Sequence, residues 1–169
     1  MPLLADDSPV ATPLVLHREP VRAEWLDYNG HMNVAYYVLA FDHASDAFSD
    51  HIGLGHAYMR ETGGSIFILE AHVSYLREVL LDAPLRFETH LIGFDDKRIH
   101  FAHAMYHDAE GYHAATNELM LLHVDLDARR AAPMPEDVRA RLARIREAHA
   151  GLAPPPGLSR RMGLGLKRD

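Results

Sequence analysis

The chain contains no cysteine. That excludes disulfides, a thiolate nucleophile and any cysteine-ligated metal centre. No apolar run approaches membrane-spanning length, and Met1-Pro2-Leu3-Leu4-Ala5 leads into Asp6-Asp7 rather than into a signal peptide. These absences lead us to expect a cytoplasmic protein that does not enter a membrane. Basic residues are scarce as well, and the net charge is −7. The deficit is uneven: before Arg129, seven Lys/Arg oppose twenty Asp/Glu, whereas from Arg129 onward ten oppose four. An acidic body argues against nucleic-acid binding. The basic end reads as a solvated helix, or as a contact for an anionic ligand such as a nucleotide-bearing thioester.

With 169 residues, 48% hydrophobic and 24% charged, the chain is long enough for one globular domain with a real core. Residues 1–13 hold three prolines and read as a flexible lead-in. Residues 14–132 carry the alternating patterns of a single domain. Residues 133–169 read as a terminal helix with an extended basic tail.

Val15, Val21 and Trp25 suggest a first strand over Leu14 to Leu26, with a break near Pro20. Val34, Tyr37, Val38, Phe41, Ala44 and Phe48 recur at the helical period. Leu39 and Ala40 widen that stripe, so a helix over Val34 to Phe48 is expected to be buried on most sides. Asn33 is a plausible N-cap. Gly53 to Gly64 reads as a loop. Phe67 to Val79, Leu85 to Leu91, Arg98 to His107 and Tyr112 to Leu126 then alternate with period two, separated by turn residues. Pro135 opens a helix over Glu136 to His149. The order is strand, long helix, then a meander, which predicts an α+β fold whose antiparallel sheet lies against one long helix.

Asp27-Tyr28-Asn29-Gly30-His31-Met32-Asn33 sits immediately before that helix. A carboxylate, an amide and an imidazole fall at alternate positions around a glycine, beside backbone N–H groups that a helix start leaves free. Asp27 can attack a carbonyl or take a proton from water, and Asn29 and His31 can orient it. The amides near Gly30 and His31 can hold an oxyanion, and Gly30 admits close backbone approach. The competing explanation for Asp27 and Asn29 is a turn with capping side chains. For His31 it is a helix-start cap.

These residues, with the order of elements, resemble a hotdog-fold acyl-CoA thioesterase of the 4-hydroxybenzoyl-CoA thioesterase-like group over roughly Leu14 to Leu126. The signature is Asp27-x-x-Gly30-His31-x-Asn33. In that group an aspartate ahead of the glycine is the catalytic carboxylate, which the resemblance places at Asp27. The Asp27, Asn29, His31 spacing also resembles the plant acyl-carrier-protein thioesterases. More narrowly, Trp25 to Tyr37 and Thr116 to Asp125 look like the thioesterases of bacterial carnitine breakdown. Those act on betainyl-CoA and are sometimes fused to carnitine dehydrogenase. No Gly-x-Gly-x-x-Gly element is present, so a stand-alone form is expected.

The resemblance implies a sheet wrapped around a central helix, an acyl-CoA substrate and no cofactor beyond the CoA that the substrate brings. It also implies a homodimer or homotetramer whose sites are completed between subunits. Trp25, Tyr28, Tyr36, Tyr37 and Tyr75 could cage a quaternary ammonium, although rings at this spacing usually serve a core. Asn33 belongs with the substrate-binding candidates. Arg77, Lys97 and Arg98 are candidates for the CoA phosphates, against ordinary surface charge. Glu70, Glu78 and Glu118 lie in strand patterns; a buried one could join the site, but exposed carboxylates are commoner.

Metal is not expected. His100, His103 and His107 cannot share one strand face, no His-Glu-x-x-His occurs, and the thirteen histidines read as scattered over surface or interface. Gly63-Gly64-Ser65 is not a serine-hydrolase elbow. The alternatives are a generic short-chain or aromatic acyl-CoA thioesterase, a non-catalytic acyl-CoA-binding hotdog protein, and a hydratase, which would arrange Asp and His differently.

Overall fold

Helix α1 spans Val34–Ile52 and begins at Asn33, whose side chain accepts the Ala35 N–H at 3.0 Å. The structure is a computed structural model and describes residues 3–4, 8–159 and 161–165. The helix runs one turn past the expected Phe48. Its end is a Schellman arrangement in which Gly53, at φ 89°, donates to Asp50 and Leu54 N–H donates to Ser49. Polar Ser49, Asp50 and His51 hid that last turn from the apolar pattern.

Among the described residues, six strands form one antiparallel sheet: β1 (Leu14–Pro20), β2 (Gly64–Tyr75), β3 (Pro84–Phe94), β4 (Arg98–His107), β5 (His113–Asp125) and β6 (Arg130–Ala131). The order is β1-β3-β4-β5-β2, with β6 added to the end of β5. Because β1 and β2 are the two edges and α1 lies between them in sequence, the sheet closes around the helix. Phe41 packs edge-on to Phe87 at 5.8 Å, and Phe48 meets Phe101 at 4.9 Å. The α+β expectation, a sheet about one central helix with a terminal helix, is what the chain adopts.

The expected first strand stops at Pro20, and a 3-10 turn, Ala23–Trp25, follows. β2 likewise ends at Tyr75 rather than Val79; residues 76–80 leave the ladder and run toward the Asp27 loop. Helix α2, His56–Thr62, replaces the expected loop. None of its residues is buried, so it carries no apolar stripe that periodicity could reveal. Helix α3, Glu136–His149, has the expected limits and buries Val138, Leu142 and Ile145.

Burial of α1 on most sides is not found. Tyr37, Ala40, Phe41, Ala44 and Phe48 are covered, whereas Val34, Val38 and Leu39 are exposed. One chain closes only part of the helix surface, and the open flank adjoins the β2 end of the sheet.

Among the described residues, parts of the lead-in and of the tail contact the body of the fold. Leu4 is buried and its N–H donates to His51 at 2.9 Å, while Arg144 donates to the Ser8 carbonyl at 2.5 Å. Residues 156–159 cross the outer sheet face. Ser74 and Thr116 donate to the Gly157 and Pro156 carbonyls at 2.9 and 2.6 Å, and Ser159 N–H donates to Glu118 at 2.5 Å. Glu118 is therefore buried, not exposed, with His100 Nε2 at 2.7 Å from its carboxylate.

Candidate active site

The Asp27 loop is a three-residue hairpin turn. Gly30 N–H donates to the Asp27 carbonyl at 3.0 Å, and Asp27 N–H donates back to His31 at 3.1 Å. Gly30 has φ +80°, the left-handed region that this turn requires of its third residue. Two further bonds dock the loop: Met32 N–H to Val79 and Asn33 N–H to Trp25, at 3.0 and 2.9 Å. The irregular exit from β2 thus serves to seat the loop.

Asp27 Oδ1 accepts the Asn29 N–H at 2.7 Å, an Asx turn, so the capping role weighed for this residue is realised. That bond also aims the carboxylate. Oδ2 lies 3.9 Å from His31 Nδ1, and the side chain is 15% exposed. His31 Nδ1 is 3.2 Å from the Met32 carbonyl, an acceptor only, so Nδ1 carries a proton.

A groove of about 240 Å³ begins at His31 and is lined by Met32, Val34, Tyr37, Tyr75, Leu76, Arg77 and Glu78. Tyr37 and Tyr75 stand at 90° with centroids 5.2 Å apart, and the Tyr75 hydroxyl reaches the Val34 carbonyl at 3.4 Å. Glu78, left open by sequence, is a groove residue. Its signal was masked because Phe67 to Val79 reads as one unbroken strand.

Several candidates fall elsewhere. Trp25 is buried and stacked on Tyr36 at 5.8 Å, supporting the loop from behind. Tyr28 is 97% exposed at the turn tip, away from the groove's lining residues. Asn29 contributes its backbone N–H to the turn, and its side chain is exposed. Asn33 is committed to capping α1. Glu70 is on the exposed middle of β2, away from the groove. Arg98 is at the far end of the sheet, paired with Asp95 at 2.6 Å and donating to Leu164 at 2.9 Å.

The oxyanion expectation also changes. Gly30 N–H is consumed by the turn and Ala35 N–H by Asn33, and Gly30 and His31 precede the helix rather than open it.

Nor are the histidines scattered over the surface. Seven are buried: His51, His90, His100, His103, His107, His123 and His149. Two more join Glu19 in a trio, His17, Glu19 and His43, with ligand atoms within 4.8 Å of one another. Sequence separation concealed this group, whose residue types could hold a metal. It already forms a hydrogen-bonded unit: both imidazoles meet Glu19 Oε1, at 3.0 and 2.7 Å, and Arg22 donates to Oε2 at 3.3 Å. Burial pushes the Glu19 carboxyl up, but the His17 and His43 bonds outweigh it and hold the carboxyl below its usual range. The unit ties β1 to α1.

A sheet closed about one helix, with a polar turn at the helix start, defines a hotdog protein. The chain belongs to the Thioesterase-like superfamily, which it matches over residues 21–142. It is 44% identical over 151 residues to the betainyl-CoA thioesterase of Pseudomonas aeruginosa, covering 89% of this chain and 95% of that protein. A Staphylococcus aureus protein solved in complex with CoA superposes with TM-score 0.82 at 25% identity, covering 93% of this chain and 99% of its own. A putative thioesterase from Pseudomonas putida KT2440 gives TM-score 0.77 at 35% identity, covering 92% and 99%.

Proposed function

We propose that this protein is an acyl-CoA thioesterase that hydrolyses betainyl-CoA to betaine and CoA. The observation that carries the reading is the Asp27 carboxylate, aimed by its Asx turn toward His31 at the mouth of the aromatic groove. The 44% identity to a betainyl-CoA thioesterase supports the choice of acyl group.

Hydrolysis adds water across the C–S bond: oxygen goes to the acyl carbon, and a proton goes to the departing thiolate. Asp27 Oδ2 serves either route. As a general base it takes the proton of the attacking water; as a nucleophile it forms an acyl anhydride that water then opens. Label found in Asp27 after a single turnover in ¹⁸O-water identifies the anhydride route, with water opening the anhydride at the Asp27 carboxyl carbon. No cofactor is needed beyond the CoA of the substrate, and the reaction belongs in the cytoplasm.

The active unit is at least a homodimer. β2 is a twelve-residue edge strand whose middle, including Phe67 and Ile68 at 50% exposure each, is open beside the bare flank of α1. Long apolar edges of this kind invite pairing with a second strand, and a second copy of β2 is self-complementary in antiparallel order.

A thiol-release assay over an acyl-CoA panel tests the proposal. Betainyl-CoA should be cleaved faster than butyryl-CoA. Equal rates would remove the betainyl assignment, and absence of thiol release from every ester would remove the thioesterase itself.

A further inference from the structure

The geometry points to Glu78, with Tyr37 and Tyr75, as the subsite that holds the trimethylammonium head of the acyl group; this rests on the betainyl-CoA reading above. A quaternary ammonium has no N–H to donate. It is recognised by aromatic faces and by a carboxylate acting through charge alone. The groove beside His31 offers both.

Tyr37 and Tyr75 meet at 90° and form a corner that lines the groove, with Tyr75 half-exposed and Tyr37 mostly covered. Each hydroxyl meets backbone, Tyr75 at the Val34 carbonyl and Tyr37 at Val79, which holds the outer ends of the two rings in place. Among the groove residues Glu78 supplies the one carboxylate. Its main chain is held where it exits β2, because the Tyr112 hydroxyl donates to the Glu78 carbonyl at 3.0 Å.

Arg77 is the groove's opposing charge, and it is drawn away. Its guanidinium lies over the Tyr112 ring at 3.8 Å and reaches toward Glu110 at 4.0 Å. That leaves Glu78 as the acidic charge lining the groove. A neutral acyl group of the same shape would gain the aromatic contact but not the charge.

The test compares two esters of equal shape: betainyl-CoA, with (CH₃)₃N⁺–CH₂–CO, and 3,3-dimethylbutanoyl-CoA, with (CH₃)₃C–CH₂–CO. The readout is the ratio of their kcat/KM values from thiol release. Glu78→Gln should lower that ratio roughly tenfold, and Tyr75→Leu should lower it in the same direction. An undiminished ratio in folded Glu78→Gln, with the wild-type protein still preferring betainyl-CoA, would overturn the subsite and leave the thioesterase reading standing. A wild-type protein that cleaves both esters equally, or neither, would remove the parent reading and the subsite together.

Discussion

Acidification is expected to weaken this fold through one interior imidazole. His103 on β4 is fully buried, stacked against Phe41 at 6.2 Å, with Thr89 Oγ1 at 2.9 Å from Nδ1 and Ser45 Oγ at 3.1 Å from Nε2. Ser45 spends its hydrogen on the Phe41 carbonyl, so its oxygen must accept from His103 Nε2–H. Nδ1 is then the acceptor, and Thr89 donates to it. Every polar atom of the neutral ring is satisfied; a second ring proton would have no acceptor.

Burial accordingly pushes the imidazole down to about 3, and the nearby His17 and His90 charges push the same way. Since the unfolded chain binds this proton near pH 6.5 and the folded chain near 3, stability is full above pH 6.5 and drains away as pH falls toward 3. Between pH 7.5 and 5 the loss from this site is about 2 kcal/mol. For a chain of this size that lowers Tm by about 4–8 °C.

The assay is urea unfolding at pH 7.5, 6.5, 5.8 and 5, on wild type and His103→Asn. The variant loses ring packing and is less stable throughout, but its pH slope should flatten by about one proton. His90, His113 and His149 are also pushed down by burial and keep some slope in both proteins. A wild-type slope in the variant, or an NMR titration of His103 with its midpoint near 6.5, would refute the reasoning.

Asp27→Asn preserves the turn, because an amide oxygen can still accept the Asn29 N–H, but removes the charged oxygen beside His31. Turnover in the thiol-release assay should fall by roughly 10²–10⁴-fold with the circular dichroism spectrum and CoA binding retained; wild-type turnover would reject Asp27 as the reacting group. The double substitution Ile68→Lys with Leu69→Lys places two charges on the exposed β2 edge. It should give a monomer in sedimentation with the thermal transition largely kept; an unchanged oligomer would place the interface elsewhere.

Periodicity carried much of the fold. The α1 repeat and the alternation of β3, β4 and β5 are one-dimensional records of which side faces the core, and one sequence suffices to read them. The limits of α3 were legible because Pro135 opens it and Val138, Leu142 and Ile145 mark a clear stripe. The Asp27 to Asn33 motif was legible because a glycine in a polar turn at a helix start is a local arrangement.

Tertiary structure alone decided the rest. No stripe announces α2, since nothing on it is buried. The tail was extended by composition, but only the sheet surface could show that Glu118 lies beneath it. His17, Glu19 and His43 meet because β1 packs on α1, and Glu78 enters the groove because residues 76–80 leave the sheet. Arg98 left the candidate site because strand register put it at the other end. Spacing along a chain reports facing within one element; which faces meet depends on how elements pack, and packing depends on contacts distant in sequence.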